Sequence, residues 1–329
     1  MAQAEPPTPD AAVKALQAWA ARHPLPPTNL SRPWAVAYSG GADSTALLRA
    51  AHALWPGRVQ AFHVHHGLQP AADGFVHHAE AACTALGVPL HVERVQAAHR
   101  PGQSPEDAAR QARYAALARL AHAHGAAWVL LGQHAQDQVE TVLLALTRGA
   151  GVAGLAGMPE AMERLGVCFG RPLLQVDARA LRAALEAHGV PYLDDPTNTD
   201  ERYTRNRLRA RLLPPLLEAF PASLDTVGRS ARLLAQAQRL LDEVASQDLT
   251  AVGDPPSIRK LQALGRDRQA NVLRRWLRLG WQAVPSEAQL EELLDQLADC
   301  RTRGHRLRLK VATGQVLREG PVLRYIPSV

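Results

Sequence analysis

The stretch VAYSGGADSTALL, Val36 to Leu48, decides how this chain is read. An apolar run stops at two glycines and restarts at helical spacing near Ser44, which makes a strand, a bend and a helix. The Ser39-Gly40-Gly41-Ala42-Asp43-Ser44 segment between them packs no core. Gly40 and Gly41 let the backbone turn sharply and expose its N–H groups. The positive end of the following helix adds to that field, so the bend reads as an anion site. Ser39 and Ser44 supply hydroxyl donors. The loop is too short for a Walker A motif and has no Lys before a Ser or Thr. Asp43 would repel a phosphate unless a divalent cation lay between them, which points to Mg²⁺ bridging carboxylate and phosphate oxygens. The plainer alternative is a strand–turn–helix with Asp43 or Ser44 as N-cap.

Working outward, the first two hundred residues alternate strands and helices. Strands are expected at Trp34–Ser39, Val59–His66, Pro89–Val95 and Ala126–Gln133. Helices are expected at Ser44–Leu54, Asp73–Leu86, Pro105–His124 and Gln136–Thr147. This alternation predicts an α/β fold with a parallel sheet and right-handed crossovers. Ligands of such sheets bind beyond the carboxyl ends of the strands. Arg148–Glu160 reads as a Gly-rich loop, followed by a short strand pair near Val167 and Leu173 and a helix at Asp177–His188. Leu212–Phe220, with its two prolines, reads as a hinge. Beyond Ser223 three segments repeat apolar residues at helical spacing. The last segment alternates around TG and EG turns and predicts a small antiparallel sheet. The domains expected are therefore 1–220, catalytic, and 221–329, helical with a C-terminal β-hairpin.

The chain has 329 residues and a net charge of +6. Residues 1–221 carry 20 basic and 19 acidic side chains, and residues 222–329 carry 17 and 12, so the excess sits in the last third. A basic half joined to a neutral half suggests a nucleic-acid partner, although surplus Arg also solubilises a surface. No apolar run approaches the roughly 20 residues of a membrane span, and no secretory signal is read at the start. Three isolated cysteines with no Cys-x-x-Cys argue against a disulfide framework, a zinc ribbon or an iron–sulfur cluster. A cytoplasmic setting is expected.

Further motifs fall at strand ends. HVHHGLQ, His63–Gln69, holds three imidazoles, but adjacent strand positions face opposite sides, so His65 and His66 do not easily share an ion. In GQHAQDQVET, Gly132–Thr141, Asp137 and Glu140 are three apart and share a helix face. They suit a cation, either Mg²⁺ or the amine of a substrate; a polar first turn favouring the helix dipole is the alternative. Arg110 and Arg113 share a face of the long helix, beside Tyr114. GRPLL (Gly170–Leu174), YLDDPTN (Tyr192–Asn198) and RYTRNRLRARLLP (Arg202–Pro214) follow in that order.

SGGADS after a strand resembles the PP-loop of N-type ATP pyrophosphatases, which split ATP into AMP and pyrophosphate. The ordered motifs from Trp34 to Pro214 resemble one branch of that superfamily, the tRNA(Ile)-lysidine synthetases. That pattern reads Gly-His-His-x-Asp-Asp-Gln-x-Glu-Thr where this chain has Gln133 for the first His and Gln136 for the first Asp. His134, Asp137, Gln138, Glu140 and Thr141 match it.

The resemblance implies a ligase using ATP with Mg²⁺, free L-lysine and the wobble cytidine of tRNA(Ile) with a CAU anticodon, by way of an adenylated tRNA. ATP would be held by Ser39, Gly40, Gly41, Ala42, Asp43, Ser44, His63, Arg110 and Arg113. Lysine would be held by Asp137 and Glu140, and tRNA by Arg205, Asn206 and Arg209. Asp43, His134, Asp137 and Arg113 would carry the chemistry, with Asp43 holding Mg²⁺ through the phosphates. A homodimer is the candidate assembly, and no membrane is involved. Two rivals stay open: a PP-loop tRNA thiolase, and a non-catalytic adenine-nucleotide sensor.

Overall fold

The computed structural model describes residues 10–25, 29, 31–65, 72–95, 105–194, 200–302 and 305–327. Two compact units divide the chain, Met1–Leu233 and Leu234–Val329.

The first unit begins with helix α1 (Asp10–Arg22), followed by β1 (Trp34–Ala37), α2 (Ala42–Leu54), β2 (Val59–His65), α3 (Ala72–Leu86), β3 (Leu90–Arg94), α4 (Pro105–Ala123), β4 (Trp128–Leu130) and α5 (Ala135–Leu146). Then come α6 (Val152–Leu155), β5 (Ala161–Arg164), β6 (Val167–Gly170), α7 (Ala178–Ala187), α8 (Thr204–Arg211) and α9 (Leu213–Ala219). Among the described residues the sheet order is β3-β2-β1-β4-β6-β5, parallel throughout except for β5 on β6. Trp34 is level with Val59 on one side and Trp128 on the other. Both sheet faces are covered, which is why β1 reads as an unbroken apolar run. Trp34, Val36 and Leu130 pack under α1, α2, α3 and α7, whereas Ala35, Val129 and Phe169 pack under α4.

Sequence reading passed over α1. Ala12, Leu16 and Trp19, spaced at four and three residues, are fully buried on one face of it. Trp19 fits because position 170 is Gly; a Cβ there would meet the indole at a distance no packing tolerates.

Three further readings are corrected. The Arg148–Glu160 loop contains the one-turn helix α6. The strand paired with β6 is β5, upstream of it; Leu173 is instead a buried turn residue whose carbonyl accepts from Val176 N–H. Leu212–Phe220 holds helix α9, because Pro214 and Pro215 occupy its first turn, where no N–H is needed.

Helix α10 (Ser223–Val252) begins in the first unit and ends in the second. The position 220/221 read from sequence falls between α9 and α10. The second unit continues with α11 (Ile258–Gln262), α12 (Arg266–Trp281), α13 (Glu287–Asp299) and the antiparallel strands β7 (Arg308–Val311), β8 (Gly314–Glu319) and β9 (Val322–Pro327). Leu273, Trp276 and Leu277 of α12 share its core with Leu290, Leu293 and Leu297 of α13 and with Val311, Val316 and Leu323 of the sheet.

Candidate active site

The first turn of α2 and the first turn of α5 meet at the carboxyl ends of β1 and β4. They approach closely because residue 132, two past the end of β4, is Gly: a Cβ there would lie 3.2 Å from Ser44 N and 3.3 Å from Asp43 C. In the bend itself Gly40 has φ +88°, a conformation L side chains avoid. Ser44 Oγ–H donates to Gly41 O at 3.0 Å, and Ser39 N–H donates to Ser44 Oγ at 3.2 Å. The first intrahelical bond of α2 runs from Thr45 N to Gly41 O, so the amides of Ala42, Asp43 and Ser44 have no intrahelical acceptor. Ser39 through Ser44 thus form a tight bend that leaves these helix-start amides without an intrahelical acceptor, the geometry an anion cradle requires.

Behind the bend, the buried His63 meets the Tyr38 carbonyl with Nδ1 at 2.9 Å. A carbonyl only accepts, so Nδ1 carries the proton. Burial holds the His63 pKa below its usual value, against the Tyr38 bond. The neutral ring therefore offers Nε2 as an acceptor, better suited to an amino group than to a phosphate oxygen. His66 and the rest of that motif lie outside the described residues, as do Asp195, Pro196 and Asn198.

A chain of charges starts at Asp43. His134 Nε2 lies 3.6 Å from Asp43 Oδ2 and 3.3 Å from Asp137 Oδ2. His134 is the N-cap of α5, and its backbone N–H donates to Asp137 Oδ2 at 3.0 Å. Asp137 Oδ1 accepts from Arg209 Nη2 at 3.1 Å, and the same guanidinium grips Glu140 through Nε at 2.7 Å and Nη2 at 3.0 Å. Asp137 and Glu140 do share a face, but the cation they hold is Arg209. Glu140 is fully buried with both oxygens filled, so its expected role as a lysine ligand is corrected to that of a partner for Arg209. By the same contacts Arg209, expected on the tRNA, joins α8 to α5. Asn206 donates to the Asp200 carbonyl at 3.0 Å and secures the turn before α8.

Burial pushes the Asp43 and Glu140 carboxyls above their usual pKa; His134 opposes this at Asp43, and Arg209 opposes it at Glu140. Asp43 Oδ1 and His134 Nδ1 are buried without a hydrogen-bond partner among the described residues. No group of three His, Cys, Asp or Glu with metal-binding geometry occurs among them. One orphaned carboxylate oxygen fits a Mg²⁺ whose other ligands are phosphate and water oxygens, and does not fit an all-protein cage.

The Arg113 side chain reaches the surface and stands 5.9 Å over the Tyr114 ring; desolvation lowers its pKa, Tyr114 opposes this, and Arg110, Arg171 and Arg205 add like-charge repulsion. Such crowding of guanidiniums suits a polyanion. Arg110 itself makes an exposed pair with Asp107 at 3.2 Å. Arg171, from the RPLL motif, is the residue sequence reading left without a role. It is buried and donates to Tyr114 Oη at 2.8 Å, Pro159 O at 2.8 Å and Gln133 Oε1 at 3.2 Å.

Comparison with known proteins gives this geometry a family. A PP-loop domain matches residues 11–216, and a TilS substrate binding domain matches residues 257–323. The chain is 61% identical over 299 residues to the tRNA(Ile)-lysidine synthase of Polaromonas naphthalenivorans, covering 91% of each. The chain belongs to the tRNA(Ile)-lysidine synthase family. To the tRNA(Ile)-lysidine synthase of Burkholderia pseudomallei it is 44% identical over 284 residues, 84% of this chain and 58% of that one, so it spans little more than half of that relative's length. Among solved structures, the U34-tRNA thiolase NcsA from Methanococcus maripaludis, with its 4Fe-4S cluster, matches with a TM-score of 0.54 at 17% identity. The match covers 68% of this chain and 80% of that one and shares the fold alone.

Within the tRNA(Ile)-lysidine synthase pattern, the two departures are built into this fold. Gln133 accepts from Arg171, as above. Gln136 donates to Asp177 Oδ1 at 2.5 Å and accepts from Ala178 N–H at 3.0 Å, so it fastens α5 to the start of α7. An Asp at 136 would face Asp177 charge to charge. Gln138 is structural as well, exchanging two bonds with the Met158 backbone.

Proposed function

We propose that the chain joins lysine to C2 of the wobble cytidine of tRNA(Ile) bearing a CAU anticodon, consuming ATP and releasing AMP and pyrophosphate. The observation that carries this reading is the Asp43–His134–Asp137 cluster built against the phosphate-binding bend, in a chain of this family.

Cytidine O2 is a poor leaving group. It attacks the α-phosphate of ATP, the bond from that phosphorus to the bridging oxygen breaks, and its electron pair leaves with pyrophosphate. Amides of the Ser39–Ser44 bend and the guanidinium of Arg113 are the groups proposed to meet the growing negative charge. Asp43 would help to hold Mg²⁺, which would supply further charge neutralisation when bound. In the second step the ε-amine of lysine attacks C2, and AMP leaves with the C2–O2 pair. That amine is protonated near neutral pH and must first lose a proton. His134, between two carboxylates, is the proposed acceptor. Asp137 at the edge of the Arg209 pair is the proposed anchor for the ammonium, while Glu140 holds Arg209 in place. His63 Nε2 is proposed to accept from the adenine amino group.

Arg205 and the basic second unit are proposed to contact tRNA phosphates, a salt-dependent contribution that offsets the cost of unstacking the wobble base. No helix among the described residues is long and apolar enough to cross a membrane; the cytoplasm is the compartment proposed, and a homodimer the assembly. The thiolase rival is disfavoured because Cys83 on α3, Cys168 on β6 and Cys300 just past α13 are free and isolated from one another in sequence.

The test is direct. The pure protein is incubated with labelled lysine, ATP and an unmodified CAU tRNA(Ile) transcript, and the digest is examined for lysidine. Label in the wobble nucleoside supports the reading. Pyrophosphate release without lysine transfer, or sulfur incorporation instead, refutes it.

A further inference from the structure

His78 lies outside every motif described above. It sits on α3, and its imidazole edge packs on the phosphate-binding bend. A Cβ placed on Gly40 would lie 3.2 Å from His78 Cδ2 and 4.0 Å from Nε2. Leu193 closes the same spot from another side, with Cδ1 at 3.7 Å and its N–H donating to Gly40 O at 2.9 Å. The His78 Nε2 atom is buried and has no hydrogen-bond partner among the described residues. A buried ring nitrogen without a partner is costly, and folded proteins rarely leave one. A leucine would cover Gly40 without that cost, so packing alone gives no reason for an imidazole here.

We propose that His78 is a pyrophosphate ligand: with ATP on the bend, its Nε2–H donates to an oxygen of the β- or γ-phosphate and stays with the pyrophosphate as it departs. The assignment rests on the reading that ATP occupies the Ser39–Ser44 bend. Burial keeps this imidazole below its usual pKa and favours the neutral ring, which donates from Nε2 as the Nε2–H tautomer. A neutral donor stabilises the leaving phosphates without gripping them as a fixed cation would, which leaves product release open.

The test is calorimetric titration of the full chain with ATP, pyrophosphate and AMP, each with Mg²⁺, for wild type, His78→Gln, His78→Asn and His78→Leu. The Gln amide nitrogen reaches the place of Nε2, whereas the Asn amide stops at the place of Nδ1. The expected result is a loss of about 10–100-fold in affinity for ATP and pyrophosphate in the Asn and Leu variants. Gln is expected to retain most of the affinity, and AMP to bind all four proteins alike. Equal ATP affinity in all four overturns the assignment. So does a loss of AMP binding that parallels the loss of ATP, since His78 would then only be packing the bend. A wild-type protein that binds AMP but neither ATP nor pyrophosphate overturns the underlying reading of the bend itself.

Discussion

Replacing Arg209 by Met leaves Glu140 buried with no partner, and the size of the effect follows from the contacts. Glu140 is fully buried, and both of its oxygens accept from the guanidinium, at 2.7 and 3.0 Å. Breaking a buried pair at one partner costs about 3–5 kcal/mol. The Arg209 side chain is itself 39% exposed, so water screens its half of the pair and about 2–3 kcal/mol is the fitting range. In a unit of this size that lowers the thermal midpoint by roughly 4–12 °C.

The pH dependence has a definite sign. Burial already raises the Glu140 pKa, and Arg209 opposes it, so removing Arg209 raises it further. A carboxyl whose folded pKa exceeds its unfolded value loses stability as pH rises from the unfolded value through the folded one. The deficit of Arg209→Met against wild type is therefore larger at pH 8 than at pH 5. Adding Glu140→Gln to Arg209→Met removes the buried charge and recovers most of the loss. Urea denaturation of the four proteins of this double-mutant cycle, at both pH values, gives the coupling. A single variant as stable as wild type at pH 8, or a double variant no better than the single, refutes the reasoning.

Asp43→Asn is expected to lower pyrophosphate release by about 100-fold or more while leaving the thermal midpoint equal or higher, because it neutralises a desolvated carboxylate one of whose oxygens has no hydrogen-bond partner among the described residues. Gln136→Asp is expected to destabilise the first unit by about 1–3 kcal/mol in urea, less at low pH, since it loses a donor and faces Asp177. Gly132→Ala pushes a methyl onto the Asp43 and Ser44 backbone; the expected result is a raised KM for ATP with the fold retained by circular dichroism. Chelating Mg²⁺ is expected to stop pyrophosphate release without moving the thermal midpoint, because among the described residues only the Asp43 carboxylate is proposed for the ion.

Much of the first unit was legible because its signals are local. The run Val36–Tyr38, the glycine pair and the helical restart at Ser44 are consecutive, and the bend has the form that order predicts. The spacing of Asp137 and Glu140 likewise placed both on one face. What the spacing did not contain was the identity of their partner, since Arg209 stands 69 residues beyond Glu140 and reaches it only through the packing of α8 on α5. Helix α9 was hidden because proline reads as a breaker until its position in the first turn is known. Strand β5, Ala161–Arg164, was missed because as a polar edge strand it lacks an apolar run. His78 has no neighbour in sequence that signals a site; only the fold of α3 over Gly40 does.

The most direct test of the central claim is a crystal structure of the chain with an ATP analogue that resists cleavage between the α- and β-phosphates. The account predicts the phosphates on the amides of Gly41 to Ser44, with Asp43 facing them across a cation. Phosphates bound elsewhere, with the Ser39–Ser44 bend occupied only by solvent, would contradict it.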